Sequence, residues 1–168
     1  AYFAGGSVRD HLLGIAPHDI DITTAASPEV VMALFPRNVP VGVAFGVVRV
    51  RHAGFELEVA TFRSDGAYID GRHPTSVVWS TAAEDVARRD FTVNGLLYDP
   101  VAGVVIDHVG GQADLAAKVL RCIGDPAARL GEDRLRMLRA VRFAVRYDLT
   151  VHADTLAALT AGAHELTG

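Results

Sequence analysis

Asp19 and Asp21 are the residues whose types and spacing most directly suggest chemistry. They alternate with Ile20 and Ile22 in a segment, residues 18–23, that is predicted to be a β-strand, so both carboxylates should project from one face. Two like charges held this close are costly unless a cation lies between them, and Mg²⁺ prefers such oxygen ligands. The pair therefore indicates a magnesium site, although a solvated strand face gives the same spacing.

A second group of candidate residues precedes Asp19 in the chain. Gly5, Gly6 and Ser7 form a bend before a predicted helix over residues 7–13. The free backbone N–H groups of such a bend and the dipole of the helix favour an anion, and Arg9 adds a charged donor. An ordinary helix start would contain the same residues. If the bend does bind an anion, a phosphate site and a metal site share one surface.

The order of these features, a Gly-Ser turn, a helix and then Asp-Ile-Asp-Ile, resembles the signature of the DNA polymerase β superfamily of nucleotidyltransferases. Such enzymes typically have a third carboxylate on a neighbouring strand. In the predicted strand over residues 55–63, Glu56 and Glu58 share one face and Leu57 and Val59 the other. Glu58 is the candidate for the third catalytic carboxylate, while two solvent-facing glutamates on an edge strand are the alternative.

The elements that must position these residues alternate between strand and helix patterns, which predicts an α+β fold. Ser27 and Pro28 begin a helix, and residues 52–54 join two strands as a hairpin. The polar segment 64–76 lacks either periodicity and is predicted to be a mobile loop. The remaining predictions are a strand over 46–51 and helices over 28–35, 81–89, 112–118 and 134–146, the last with an apolar stripe of Leu135, Leu138, Val141 and Val145.

Composition narrows the class of protein. Half of the 168 residues are hydrophobic, and no apolar run reaches the ~20 residues that a membrane-spanning helix needs, so we expect a soluble protein without a membrane partner. The single cysteine, Cys122, suits a reducing cytoplasm. The net charge is −4, but arginines concentrate over residues 129–146, so any RNA contact should be local. We also expect that Ala1 is not the natural start and that helical sequence follows Gly168.

Six ordered motifs sharpen the resemblance to one family, the bacterial tRNA nucleotidyltransferases and poly(A) polymerases, or class II CCA-adding enzymes. The motifs are GGSVRDHLLG, DIDITT, EVATFR, DGAYIDGRHP, RRDFTVNGLLYDP and GEDRLRMLRAVRFA. The resemblance implies metal-dependent, template-independent addition of CMP and AMP from CTP and ATP to the tRNA 3′ end, with release of pyrophosphate. It also implies a catalytic head over residues 1–125, whose small, mostly antiparallel sheet has flanking helices, and the start of a helical neck over 126–168, without the body and tail.

The resemblance assigns roles to the matching residues. Asp19 and Asp21 would hold two Mg²⁺ ions, with Glu58 as the further catalytic carboxylate. Gly5, Gly6, Ser7 and Arg9 would bind the triphosphate, and Arg89, Asp90 and Asn94 would orient the ribose. Asp65, Gly66, Asp70, Gly71 and Arg72 match a flexible loop that helps the pocket to switch from CTP to ATP.

Asp133, Arg136 and Arg139 are the candidates for recognition of the base. Asp133 and Arg136 are three residues apart in a predicted helix and should share one face. Cytosine and adenine each present an amino donor beside a ring-nitrogen acceptor, so one carboxylate and one guanidinium suffice to select them without a template. A surface salt bridge is the alternative.

Several other functions stay open at this point. An A-adding or CC-adding tRNA nucleotidyltransferase, or a poly(A) polymerase, would have nearly the same head motifs. A member of a different class, a non-catalytic RNA-binding module of the same fold, would keep the fold without the chemistry.

Overall fold

The computed structural model describes residues 1–17, 19–68, 71–72 and 74–166. The strands are β1 Tyr2–Ala4, β2 Asp21–Thr24, β3 Asn38–Gly42, β4 Val47–His52, β5 Phe55–Thr61, β6 Arg63–Asp65, β7 Val77–Trp79, β8 Leu96–Asp99, β9 Val104–Asp107, β10 Val119–Leu120 and β11 Thr150–Val151. The helices are α1 Gly6–Leu12, α2 Pro28–Leu34, α3 Ala82–Ala87, α4 Gly111–Ala116, α5 Pro126–Glu132, α6 Leu135–Tyr147 and α7 Ala153–Gly162, and 3₁₀ turns cover Val43–Phe45, Thr92–Asn94 and Ala163–Leu166.

A mixed sheet of seven strands, in the order β3-β4-β5-β2-β1-β8-β9, is the frame of the fold. All of its pairings are antiparallel except that of β2 with β5, which is parallel and sets Asp21 opposite Glu58. The α+β class with a mostly antiparallel sheet is therefore confirmed. The parallel pairing also brings the predicted third carboxylate beside Asp21.

The hairpin between β4 and β5 is confirmed. His52 pairs with Phe55, which leaves the two-residue loop Ala53-Gly54. Both loop residues have positive φ, 48° and 84°, as a tight hairpin turn of matching twist requires. The turn fixes the register that places Glu56 and Glu58 on one face and buries Val59 on the other.

Helix α6 packs against the core with a face that its sequence did not predict. Its buried residues are Arg136, Met137, Ala140 and Phe143. The predicted apolar stripe is exposed instead, since Leu135, Leu138, Val141 and Val145 have exposed fractions of 44%, 55%, 61% and 80%. The buried face joins the main hydrophobic core around Phe91, Leu120 and Leu130.

Two further sequence predictions need correction. The strand predicted over residues 18–23 begins only at Asp21, and Asp19 lies in the bend before it, so strand alternation does not place the two carboxylates. The segment 64–76 is not an irregular loop throughout, because Arg63–Asp65 pairs with Val77–Trp79 and the ladder continues through hydrogen bonds from Gly66 to Ser76 and from Thr75 to Ala67. No helix among the described residues is both long and apolar enough to cross a membrane.

Candidate active site

One cavity of about 630 Å³ brings together residues from five separate parts of the chain. Its walls are the start of α1, the bend and first residue of β2, the residues that follow α3, the link between α5 and α6, and the cavity-facing side of α6. The predicted site residues that line it are Gly5, Gly6, Ser7, Arg9, Asp19, Asp21, Arg89, Asp90, Asn94, Asp133, Arg136 and Arg139. The sequence candidates for metal, triphosphate, ribose and base therefore share a single concave surface.

The carboxylates of Asp19 and Asp21 lie at the edge of this cavity and also line a second one, which contains Glu58. Asp21 is solvent-accessible, but the cavity walls partly desolvate its carboxylate. This desolvation and the neighbouring negative charge of Glu58 raise the pKa of Asp21, against the opposing effect of Arg89 and with a smaller contribution from Asp19. The site is thus one where negative charge is crowded and a cation would relieve it.

The side chains present fit Mg²⁺ with two protein ligands. Within the described part of the chain, no three His, Cys, Asp or Glu side chains are arranged to hold a metal ion together. Glu58 is engaged by Arg49, whose Nη2 lies 2.9 Å from its Oε1. Two carboxylates are nevertheless sufficient, because Mg²⁺ usually keeps several waters and takes further ligands from substrate phosphates.

The glycine turn before α1 has the backbone that a phosphate site needs. Gly5 has φ of 65°, and α1 begins without a side-chain cap, so the first N–H groups of the helix are not covered by one. A Cβ atom at Gly5 would lie 2.9 Å from Nη1 of Arg89. Arg89, predicted as a ribose residue, therefore lies directly beside the turn and adds a cation there.

The predicted triphosphate, ribose and base residues form one continuous chain of hydrogen bonds. Buried Arg9 donates to Asn94 Oδ1, and Asn94 Nδ2 donates to Asp90 Oδ1 over 3.0 Å. Asp90 Oδ2 accepts from Arg139 Nε over 2.7 Å. Arg139 therefore orients Asp90. A substitution of Arg9 or Arg139 should alter the positions of Asn94 and Asp90 in the cavity wall.

The spacing predicted that Asp133 and Arg136 lie on one helix, but Asp133 lies outside it. Helix α5 ends at Glu132 and α6 begins at Leu135, so Asp133 occupies an extended link whose Oδ1 accepts from the backbone N–H of Leu135 over 3.0 Å. Both side chains still line the cavity. At the junction of the two helices the sequence has no proline and no pair of glycines. Local sequence therefore cannot show this break.

The guanidinium of Arg136 is hydrogen-bonded to several neighbouring residues. Its Nη1 donates to Glu132 Oε2 and to the carbonyl of Arg129, and its Nη2 donates to the carbonyl of Arg88. A guanidinium has five N–H groups. Toward the described residues, Nε–H and one Nη2–H are not used in these bonds, which leaves donors for a ligand in the cavity.

The loop candidates that the structure describes do not line the cavity. The side chain of Asp65 is only 3% exposed and forms ion pairs with Arg63 and Arg88, at 2.9 and 3.3 Å. Gly66 continues the β6–β7 ladder, and the carbonyl of Gly71 accepts from the N–H of Arg134 at the start of α6. Arg72 is exposed, and Asp70 lies outside the described residues.

Two groups of residues around the cavity were missed from sequence. Asp85 is buried and accepts from Arg88 and Arg89, and its i, i+3 and i, i+4 spacing on α3 was a readable signal. Tyr147 and Phe143 on α6 hold the Arg9 guanidinium over their rings, at 4.1 and 5.2 Å from the centroids. No local pattern links Arg9 to residues so distant in sequence.

Comparison with known proteins gives consistent results. The sequence model of the family described as "Poly A polymerase head domain" matches residues 1–121. The chain is 49% identical to the CCA-adding enzyme of Oceanobacillus iheyensis over 159 residues, which are 94% of this chain and 40% of that protein. It is 47% identical to the CCA-adding enzyme of Levilactobacillus brevis over 167 residues, which are 99% of this chain and 42% of that protein.

Solved structures show the same likeness. The Bacillus stearothermophilus CCA-adding enzyme in complex with CTP superposes with a TM-score of 0.85 and 42% identity, over 94% of this chain and 38% of that one. The Thermotoga maritima CCA-adding enzyme complexed with tRNA superposes with a TM-score of 0.76 and 30% identity, over 98% of this chain and 38% of that one. The chain thus spans about 40% of the length of the Oceanobacillus and Levilactobacillus enzymes.

Proposed function

The chain belongs to the poly(A) polymerase head domain family, and we propose that it is the catalytic part of a nucleotidyltransferase that adds CMP and AMP, from CTP and ATP, to the 3′ end of tRNA. The single cavity that joins the glycine turn, Asp19, Asp21 and the side chains of Asp133 and Arg136 is the observation that carries the proposal. The similarity to CCA-adding enzymes supports it. We assign residues 1–125 to the head and 126–168 to the start of the neck.

Each part of the cavity then has a task in the reaction. The turn at Gly5, Gly6 and Ser7, with Arg89 beside it, binds the triphosphate. Asp90 and Asn94 hold the ribose, and they are themselves held by Arg139 and Arg9. Arg136 Nε–H, one Arg136 Nη2–H and Asp133 Oδ2, which the hydrogen bonds between described residues leave unused, select the base. Because Arg9 is buried, it acts on the triphosphate indirectly, by holding the residues of this wall in position.

Asp19 and Asp21 would hold two Mg²⁺ ions, which supply Lewis-acid activation of the acceptor hydroxyl and compensate negative charge on the transferring phosphate. The 3′ hydroxyl oxygen forms a bond to the α-phosphorus, while the bond from that phosphorus to the bridging oxygen breaks and pyrophosphate leaves with the electron pair. Glu58, which pairs in register with Asp21, would accept the hydroxyl proton. A cytoplasmic location fits this role.

Isothermal titration with CTP, ATP, UTP and GTP, each with Mg²⁺ and without RNA, tests the proposal. We expect binding of CTP and ATP and little binding of UTP and GTP. Binding of ATP alone would indicate an A-adding or poly(A) enzyme. Failure to bind any nucleotide would contradict the catalytic proposal and favour the non-catalytic RNA-binding module.

Asp133→Asn gives the sharper version of the same test. Because Oδ1 of the side chain caps the N–H of Leu135, the asparagine amide would keep its oxygen there and present Nδ2, a donor, to the base. We expect CTP to bind roughly 5- to 150-fold more weakly and the preference over UTP to fall, since a matched base contact is worth about 1 to 3 kcal/mol. Asp154→Asn, an exposed carboxylate outside the cavity, is the control. An unchanged CTP-to-UTP ratio would refute the role of Asp133.

A further inference from the structure

The last turn of α6 contacts the first helix of the chain through one arginine. Arg9 on α1 is 4% exposed, and its guanidinium lies over the rings of Phe143 and Tyr147. Its Nη2 also donates to the Tyr147 hydroxyl over 2.5 Å, although the two residues are 138 positions apart. Tyr147 is the last residue of α6 and lines the same cavity as the proposed ribose residues. Two rings and one hydroxyl thus hold Arg9 from the α6 side.

The other hydrogen bonds of Arg9 connect it to one neighbour on α1 and to the cavity wall. Its Nε and Nη2 donate to a single oxygen, Oδ1 of the buried Asp10, over 2.9 and 2.7 Å. A single acceptor oxygen allows the guanidinium to pivot, so Asp10 alone does not fix its plane. Its Nη1 donates to Asn94 Oδ1. Any pivoting of Arg9 would therefore move the acceptor that Asn94 offers to it.

The Tyr147 hydroxyl is suited to hold Arg9 in place. Burial raises the pKa of this hydroxyl above its ordinary value of 10, against the opposing effect of Arg9. The hydroxyl is therefore protonated and neutral at pH 7, and its oxygen accepts from Arg9. The ring also lies 4.1 Å from the Arg9 guanidinium carbon, close enough for a cation–π contact.

Arg9 in turn determines which end of the Asn94 amide is available to a ligand. Asn94 Oδ1 accepts from Arg9, and one Nδ2–H donates to Asp90 Oδ1 over 3.0 Å. The hydrogen bonds between the described residues leave the second Nδ2–H unused. If Arg9 moved, the amide could rotate and offer its oxygen instead. The amide is thus held with an N–H available for a hydroxyl oxygen in the cavity.

We infer that Tyr147 is a positioning residue for recognition of the ribose 2′ hydroxyl. By holding Arg9 with its ring and hydroxyl, Tyr147 keeps the Asn94 amide oriented so that its available N–H donates to this group. The 2′ hydroxyl is what distinguishes a ribonucleotide from a deoxyribonucleotide. This inference rests on the proposed function, because it names a residue that makes the nucleotide site of that reaction selective for ribonucleotides.

Tyr147→Leu and Tyr147→Phe test the inference through the ratio of the Kd for 2′-deoxy-CTP to the Kd for CTP, measured by isothermal titration with Mg²⁺ and without RNA. We expect the unaltered protein to bind CTP roughly 2- to 12-fold more tightly, which is what one hydrogen bond contributes. Tyr147→Leu should weaken CTP binding by about this factor and leave 2′-deoxy-CTP binding nearly unchanged, so the ratio falls toward one. Tyr147→Phe keeps the ring over Arg9 and should give an intermediate ratio.

Two comparisons separate positioning from a general loss of structure. Tyr98→Leu removes a ring that packs beside His11 of α1 outside the cavity, and we expect it to leave the ratio unchanged. Asn94→Ala removes the amide itself. In that background Tyr147→Leu should have no further effect on the ratio, because Tyr147 acts through Asn94.

The possible outcomes distinguish this inference from the proposed function. An unchanged ratio in Tyr147→Leu, with CTP binding intact, would overturn the role of Tyr147 and leave the nucleotide site standing. An effect of Tyr147→Leu that persists in the Asn94→Ala background would overturn it too. If Tyr147→Leu does not fold, Tyr147→Phe decides, and a ratio equal to that of the unaltered protein would count against the inference. Absence of CTP binding by the unaltered protein would overturn the proposed function, and the role of Tyr147 with it.

Discussion

Asp21→Asn is expected to reduce nucleotide transfer by about three orders of magnitude or more while the fold is kept. The substitution removes one of the two carboxylates proposed to hold the cation, and cation catalysis contributes several kcal/mol, with about 1.4 kcal/mol for each tenfold change in rate. Transfer is measured as incorporation of labelled CMP into tRNA that lacks its 3′ CCA. The same loss is expected for Asp19→Asn, because both carboxylates border the shared edge of the two cavities.

The stability of the Asp21→Asn variant should move in the opposite direction to its activity. The folded protein raises the pKa of Asp21, so the ionised carboxylate destabilises the folded state. The stability associated with the protonated carboxyl is therefore present below its unfolded pKa and is lost as pH rises through the folded pKa. At neutral pH the neutral amide should therefore leave the melting temperature equal or higher. Added Mg²⁺ should stabilise the unaltered protein and have less effect on the variant.

Asp154→Asn serves as the control for both measurements, because its carboxylate is 79% exposed and lies outside both cavities. Full transfer activity in the Asp19→Asn, Asp21→Asn double variant would rule out the metal assignment. Equal stabilisation of all variants by Mg²⁺ would place the bound cation elsewhere.

Sequence was sufficient where a local pattern and the tertiary structure agree. The hairpin at Ala53-Gly54, the alternation of Glu56 and Glu58 and the turn at Gly5 each depend on a few adjacent residues. Resemblance to a family added the grouping of distant motifs, which no periodicity contains. The cavity brings together residues of four of the six motifs, GGSVRDHLLG, DIDITT, RRDFTVNGLLYDP and GEDRLRMLRAVRFA, while their individual roles remain predictions.

Sequence failed where packing decides between two locally acceptable arrangements. Helix α6 carries apolar side chains on two faces, and the face with Met137 and Phe143 is buried because it meets Phe91 across the core. The interruption at Asp133 has the same kind of cause, since its carboxylate caps the next helix and Arg136 is held by carbonyls distant in sequence. Neither the buried face of α6 nor the break at Asp133 can be predicted from the residues of one helix alone.

Asp85 shows how the cavity depends on residues that do not touch its ligands. Its carboxylate is 1% exposed and accepts from Arg88 Nη2 over 2.7 Å and from Arg89 Nη2 over 3.0 Å. Arg88 also pairs with the Asp65 side chain of the β6–β7 hairpin, and its carbonyl accepts from Arg136. One buried carboxylate thus links the hairpin, helix α3 and two arginines of the cavity wall.

Asp85→Asn is therefore expected to lower the free energy of unfolding by about 3 to 5 kcal/mol at pH 7, because it leaves two arginines facing an amide without compensating charge. Chemical denaturation followed by circular dichroism measures this difference. CTP should also bind more weakly, since Arg89 loses the partner that holds it beside Gly5. Asp148→Asn is the matched control: its ion pair with Lys118 is exposed on both sides, so we expect little change.

The pH dependence of this difference tests the cause. Burial alone would raise the pKa of Asp85, but Arg88 and Arg89 outweigh it and hold the pKa below its ordinary value of 3.8. A carboxyl of lowered pKa contributes stability that is present above the unfolded value and lost as pH falls through the folded value. The stability gap between the unaltered protein and Asp85→Asn should therefore narrow below pH 3.8. A gap that stays constant into that range would mean that lost packing, rather than lost charge pairing, accounts for the effect.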